Sequence, residues 1–203
     1  MTSEENPSQR VIGHAGSYEK GVARRQEILE RAAQVFRERG ADGTSLRRIA
    51  AMIGVSHAAL LHYFDSREQL LVAVYEHEES QRPHREGDSS STVDVLVEAA
   101  MLNAGVPGMV ELYTTLVASA LAAEGTPSNE FFSARFARIR EELTRRFTEE
   151  QAAGRLRDDV EPADMAALLI AASDGLQIQW LLEPSVELER TLGTFAVLLA
   201  PTS

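Results

Sequence analysis

Gly43-Thr44-Ser45-Leu46-Arg47-Arg48-Ile49-Ala50-Ala51-Met52-Ile53-Gly54-Val55-Ser56-His57-Ala58-Ala59-Leu60-Leu61-His62-Tyr63-Phe64 is the stretch that decides the fold. Leu46, Ile49, Ala50 and Ile53 recur at three- and four-residue spacing and make one apolar stripe on a short helix, for which Thr44 is a suitable N-cap. Gly54 permits a sharp turn, Val55 offers an apolar plug, and Ser56 caps a second short helix that reaches about Tyr63. Leu60 and Phe64 face inward on that helix, while the residues around them are small or polar. Two short helices about a glycine turn are the grammar of a helix-turn-helix.

The neighbouring sequence extends this unit in both directions. Glu19 to Arg39 carries Ile28, Leu29, Ala32, Val35 and Phe36 at amphipathic spacing, and Gly40 is a natural stop. Asp65-Ser66 breaks the reading helix, and Ser66-Arg67-Glu68-Gln69 has the form of a capping box opening a long helix through Leu70, Leu71, Val74 and Tyr75. Residues 80–91 are polar and breaker-rich, a loop. Beyond them the periodicity predicts helices at roughly 92–104, 107–123, 128–153, 162–182 and 186–199, with no strand pattern. The expected fold is all-α. It divides into a disordered arm at 1–17, a helix-turn-helix domain at 18–65 and a helical domain at 66–203.

The chain has 203 residues and a formal charge of −11, but the charge is unevenly spread. Residues 1–67 carry a net +2 and residues 68–203 a net −13. That asymmetry directs a nucleic acid to the N-terminal third and away from the remainder. No run approaches the eighteen or so unbroken apolar residues of a membrane span, and no secretory signal is present. The absence of cysteine excludes disulfides and thiolate metal sites, and fits a cytoplasmic setting.

On the helix-turn-helix, Ser56, His57, Ala58, Ala59 and His62 occupy the exposed side of the reading helix. Small side chains at 58 and 59 allow close approach to base edges and contact with a thymine methyl, and His57 can donate to a guanine or a phosphate. Thr44, Arg47 and Arg48 belong to the preceding helix, where hydroxyl, guanidinium and helix-terminal N–H groups suit phosphate. Tyr63 and Arg67 are placed to clamp the backbone from the far side. Taken singly, each has a plainer reading as a cap or a solvated helix face; their order within one short tri-helical unit is what points to DNA.

Residues 21–71 resemble the tetracycline-repressor (TetR) family of bacterial transcription regulators. The resemblance rests on Ile28-Leu29, Ala32 to Phe36, Gly40, Gly43-Thr44-Ser45, Ile49-Ala50, Gly54-Val55-Ser56, Leu60, Tyr63-Phe64 and Ser66 to Leu71. The family usually has a tyrosine, commonly a phosphate contact, where this chain has Leu61, and often a lysine where it has Arg67. For the rest of the chain the resemblance implies an all-helical domain that forms a homodimer and holds a small inducer.

The C-terminal residues give that expectation candidates. Pro162 opens a helix whose body is apolar on nearly every side, which means burial on more than one face. Ala163, Ala167, Ala171, Gly175 and Ile178 form a small-residue stripe on it, and Leu188, Leu192, Phe195 and Leu199 form a line on the last helix. Doubled by a two-fold axis, these would make a four-helix dimer interface; the same stripes also suit an intramolecular core. Pocket candidates are Met101, Met109, Tyr113, Leu116, Phe132, Phe136, Gln177 and Trp180, which favour a hydrophobic small molecule, although such residues are also ordinary core.

An enzyme is the first rival. The five histidines are scattered, and neither a His-Glu-x-x-His, a glycine-rich phosphate loop nor a Gly-x-Ser-x-Gly elbow occurs. No catalytic residue, metal ligand or cofactor site is expected. The second rival is a helical interaction scaffold that keeps the DNA-binding fold. The reading adopted is a ligand-responsive, sequence-specific regulator, a repressor released from a pseudo-palindromic operator.

Overall fold

A computed structural model describes residues 15–39, 45–81 and 91–201, and among them the secondary structure is helical without a strand. The helices are α1 (Ala15–Arg39), α2 (Leu46–Met52), α3 (His57–Leu61), α4 (Arg67–Ser80), α5 (Thr92–Gly105), α6 (Met109–Ala122), α7 (Pro127–Ala152), α8 (Pro162–Leu182) and α9 (Leu188–Leu198). Residues 15–17, expected in the arm, are the first turn of α1; residues 1–14 lie outside the described residues, as do Gly40, Thr44 and most of the loop at 80–91.

Hydroxyl caps set most of the helix starts. The Oγ of Ser45, rather than Thr44, caps α2 by accepting from the Arg48 N–H at 3.3 Å. Ser56 does the same for α3 and Ser66 for α4, each at 3.0 Å. The expected capping box at Ser66 is displaced by one residue, because the Gln69 side chain accepts from the Asp65 N–H at 2.6 Å. A full box closes on Ser91 and Asp94 at the start of α5. Each cap satisfies helix-terminal N–H groups that would otherwise lack partners.

Between α2 and α3 the chain makes a Schellman turn. The Val55 N–H donates to Ala50 and the Gly54 N–H to Ala51, with Gly54 at φ 74°. Arg31 of α1 donates to the Ile53 carbonyl at 3.0 Å and pins the turn to the long helix behind it. Ile49, Ala50, Ile53, Leu60 and Phe64 are buried there against Ile28, Leu29, Ala32 and Phe36.

That core does not end with α3. It continues through Leu70 to Tyr75 of α4 into Met109, Leu112, Tyr113 and Leu116 of α6 and Phe132 of α7. A second cluster joins α5, the far half of α7, α8 and α9 through Val93, Leu143, Phe147, Met165, Leu169 and Leu199. Phe136, half-buried on α7, packs against both. At the α1–α6 crossing Gly108 takes φ 78°, and a Cβ there would stand 3.0 Å from the Phe36 carbonyl oxygen. Only a residue without a side chain allows that approach.

Candidate nucleic-acid interface and effector cluster

α3 is held by its inward residues and presents the others. Leu60 and Phe64 are fully buried, with the Arg25 guanidinium 5.1 Å above the Phe64 ring. Ser56, Ala58 and His62 are exposed, and His57 and Ala59 are half-exposed. The half-buried Tyr63 meets the His62 ring edge-on at 5.0 Å. Arg47 and Arg48 are exposed on α2, and Arg67 is half-buried at the first position of α4. Thr44 lies outside the described residues.

Leu61 is 41% exposed, on the side of α3 that carries Ala58 and His62. It is not among the residues expected to face DNA, because the resemblance marks it as the position where the family's tyrosine is missing, yet its exposure keeps it on the outward face.

The residues proposed for a pocket separate into groups. Tyr113, Leu116 and Phe132 are buried in the first cluster with Met109, and Phe136 lines its edge. Met101 is 38% exposed on α5, apart from them. Gln177 is buried on α8, accepting from the Asn103 amide at 3.0 Å and donating to the Ser173 hydroxyl and carbonyl at 3.2 Å. Trp180 is half-buried one turn further along.

Around Tyr113 the structure assembles groups that periodicity does not single out. Tyr75, Tyr113, Phe131, Phe132 and Phe136 form a continuous aromatic cluster with neighbouring centroids 5.1–6.2 Å apart. Arg135 of α7 lies 5.7 Å from both tyrosine rings. Its Nη2 and Nε donate to one carboxylate oxygen of Glu79 on α4, at 2.8 and 3.1 Å. The buried Tyr113 hydroxyl completes no hydrogen bond among the described residues, although the Asp174 carboxylate of α8 is near enough to act on it. Burial and then that carboxylate push Tyr113 well above the ordinary phenol range, so it stays a neutral donor. Burial likewise holds the Asp174 carboxyl above its usual range, and neither the Tyr113 hydroxyl nor the Arg135 charge offsets it.

The expected dimer residues also divide. Ala163, Ala167 and Ala171 are exposed, Gly175 opens onto empty space, and Ile178 is 41% exposed. With Leu168 and Leu182 they make an uncovered apolar strip on α8. On α9, Leu188, Leu192 and Leu199 are instead buried within the chain, where the helix lies on α5 and α8, and Phe195 is half-buried in the second cluster. The outward apolar residues of α9 are Val197 and Leu198. The expected line is the inner stripe of the helix, because periodicity locates an apolar face without saying which body covers it.

With the geometry in place, comparison with known proteins is specific. Residues 28–74 match the profile of bacterial regulatory proteins of the tetR family, and residues 109–199 match that of the BetI-type transcriptional repressor C-terminal region. The HTH-type transcriptional repressor Rv1474c of Mycobacterium tuberculosis is 28% identical over 156 residues, 76% of this chain and 81% of that protein. The repressor AcnR of Corynebacterium diphtheriae is 43% identical over 51 residues, but the match spans only 25% of this chain and 27% of that one. A protein of Saccharomonospora viridis solved in complex with choline shares the fold at a TM-score of 0.69 and 19% identity, over 86% of this chain and 95% of its own. Matching profiles at both ends, on a helix-turn-helix joined through one core to a helical C-terminal half, place the chain in the TetR family of bacterial transcription regulators.

Proposed function

We propose that the chain is a homodimeric, ligand-responsive transcriptional repressor that reads a pseudo-palindromic DNA operator inside the cell. The observation that carries this is the α2–α3 unit: a Ser56-capped helix presents Ala58, Leu61 and His62 outward, beside the exposed guanidinium groups of Arg47 and Arg48. Ser56, His57, Ala58, Ala59 and His62 face base edges. Arg47, Arg48, Tyr63 and Arg67, together with Thr44, hold phosphate. Two copies with reading helices about 34–36 Å apart span one turn of DNA. The uncovered strip of α8 is the surface that joins them, and the acidic C-terminal portion keeps the dimer from lying flat on the duplex.

The regulatory half of the proposal rests on the polar and aromatic groups gathered between α4, α6, α7 and α8. A ligand there changes operator affinity only by binding the DNA-bound and released forms unequally, typically by about 1–3 kcal/mol. Fluorescence anisotropy of the full-length protein with DNA flanking its own gene, across a salt series, is the direct test. Tight binding to one fragment with a steep salt slope is expected. Equal, weak binding to every fragment would sink the proposal.

A further inference from the structure

We propose that Leu61 is a specificity-determining residue that reads the C5-methyl group of a thymine in each half-site of the operator. This rests on reading the chain as a DNA-binding regulator, and it names one residue and the base feature that residue selects.

The composition of the reading helix narrows what it can recognise. From Ser56 to Phe64 the chain has no arginine, lysine, asparagine, glutamine, aspartate or glutamate. Those are the side chains that hold guanine or adenine through two hydrogen bonds, or that accept from the amino group of cytosine. The polar groups that α3 does carry are few. The Ser56 Oγ accepts from the Ala59 N–H at 3.0 Å, and the His62 ring packs edge-on against Tyr63 with centroids 5.0 Å apart. His57 is half-exposed at the first helical position. What α3 presents beyond these is carbon: the exposed Ala58 and Leu61 and the half-exposed Ala59. On the edges of the bases in the major groove, the apolar group available to meet carbon is the thymine methyl.

Placement singles out Leu61. The His62 N–H donates to the Ala58 carbonyl at 3.1 Å, so the helical path holds as far as Leu61, and Ala58 and Leu61, three residues apart, share a face. Leu60 is fully buried, whereas Leu61 beside it is 41% exposed. Ala58 ends at its Cβ and lets the backbone of α3 come close to the bases, while Leu61 reaches three carbons further. Its branched end has neither donor nor acceptor and gains nothing from a phosphate oxygen. Exposed Arg47 and Arg48 on the adjoining helix α2 border this apolar face with positive charge, which complements a polyanion rather than an apolar protein partner. Leu61 and a thymine methyl would then shield one another from water, a contact worth about fourfold in affinity on the scale of one buried carbon.

For the test, the full-length protein selects duplexes from a randomised oligonucleotide pool. The recovered duplex is titrated by fluorescence anisotropy as it stands and with each thymine replaced in turn by 2′-deoxyuridine, which removes the methyl and keeps the base pair. At one thymine position per half-site the replacement is expected to weaken the parent about fourfold, and about fifteenfold when made in both half-sites. Leu61→Ala, checked by circular dichroism, is expected to bind the thymine and uracil duplexes equally at that position. Leu61→Met, which keeps an apolar reach, is expected to retain most of the difference. A deoxyuridine series without effect on the parent would overturn the inference, as would a recovered half-site without thymine or a methyl preference that Leu61→Ala leaves unchanged at every position. Recovery of no duplex at all would sink the regulator reading itself, and is told apart from those outcomes because each of them requires a bound duplex.

Discussion

At Asp174 burial lifts the carboxyl above its ordinary range, so there is a pH window in which the folded chain holds a proton that the unfolded chain has released. The stabilisation linked to that proton is fully present below the ordinary carboxylate pKa. It is lost as pH rises through the raised folded value. The groups acting on Asp174 from the neighbouring helices are the neutral Tyr113 hydroxyl of α6 and the Arg135 charge of α7, the latter already paired to Glu79 of α4. Asp174→Asn is therefore expected to raise Tm by a few degrees at neutral pH, with the advantage shrinking as the solution is acidified; paired thermal melts across pH check it. On the DNA side the proposed operator complex makes Arg47, exposed on α2, a phosphate contact rather than a base reader. Arg47→Ala is expected to weaken binding about equally on all sequences and to lower the salt slope by about 1, measured by anisotropy. His57→Ala at the start of α3 is expected instead to change the preference among operator variants.

Among the helical elements, two glycines share a positive φ but not the same surroundings. At Gly54 a methyl group would meet only the end of the flexible Arg31 side chain at 3.8 Å, so Gly54→Ala is expected to cost about 1–2 kcal/mol for the left-handed backbone alone. At Gly108 the same conformational cost comes with a Cβ pressed on the Phe36 carbonyl oxygen, and Gly108→Ala is expected to be the more destabilising in a urea melt. The first of these was legible from sequence, because a turn between two apolar stripes requires a glycine. The second was not, since Gly108 meets α1 about seventy residues earlier in the chain. The same divide runs through the whole prediction. The helices, the caps at Ser56 and Ser66, and the inward Leu60 and Phe64 follow from local spacing. Arg135 and Glu79 do not: each looks like one more charge on a solvated helix until α4 and α7 bring them together, whereas Asp174 stands out as a carboxylate on a largely apolar helix whose partner, in the pocket or at the dimer interface, the sequence leaves open. The inner line of α9 fails for the related reason that both its core and a partner would be apolar.

For the whole molecule, α8 explains why its composition alone resembles a membrane span, with a mean hydropathy of 1.4 over an 18-residue window. One face lies in the second cluster and the opposite face is the uncovered strip. Ile178→Glu or Leu182→Glu, at sites already open to solvent in a single chain, is expected to leave the fold intact while shifting the dimer to monomer in light scattering. Operator affinity should fall with it, because one half-site contact is lost. The core that runs unbroken from Phe64 through Tyr75 to Tyr113 and Phe132 bears on how this protein can be rebuilt. A chimaera spliced at residue 66 would set a foreign α4 and α6 against Ile28, Phe36 and Phe64, and would inherit a mismatched seam. A graft that carries α1–α4 together with the facing positions of α6 and the first turns of α7 would transplant operator choice without tearing that seam. The unit of exchange is the buried cluster, not the stretch of chain that touches DNA.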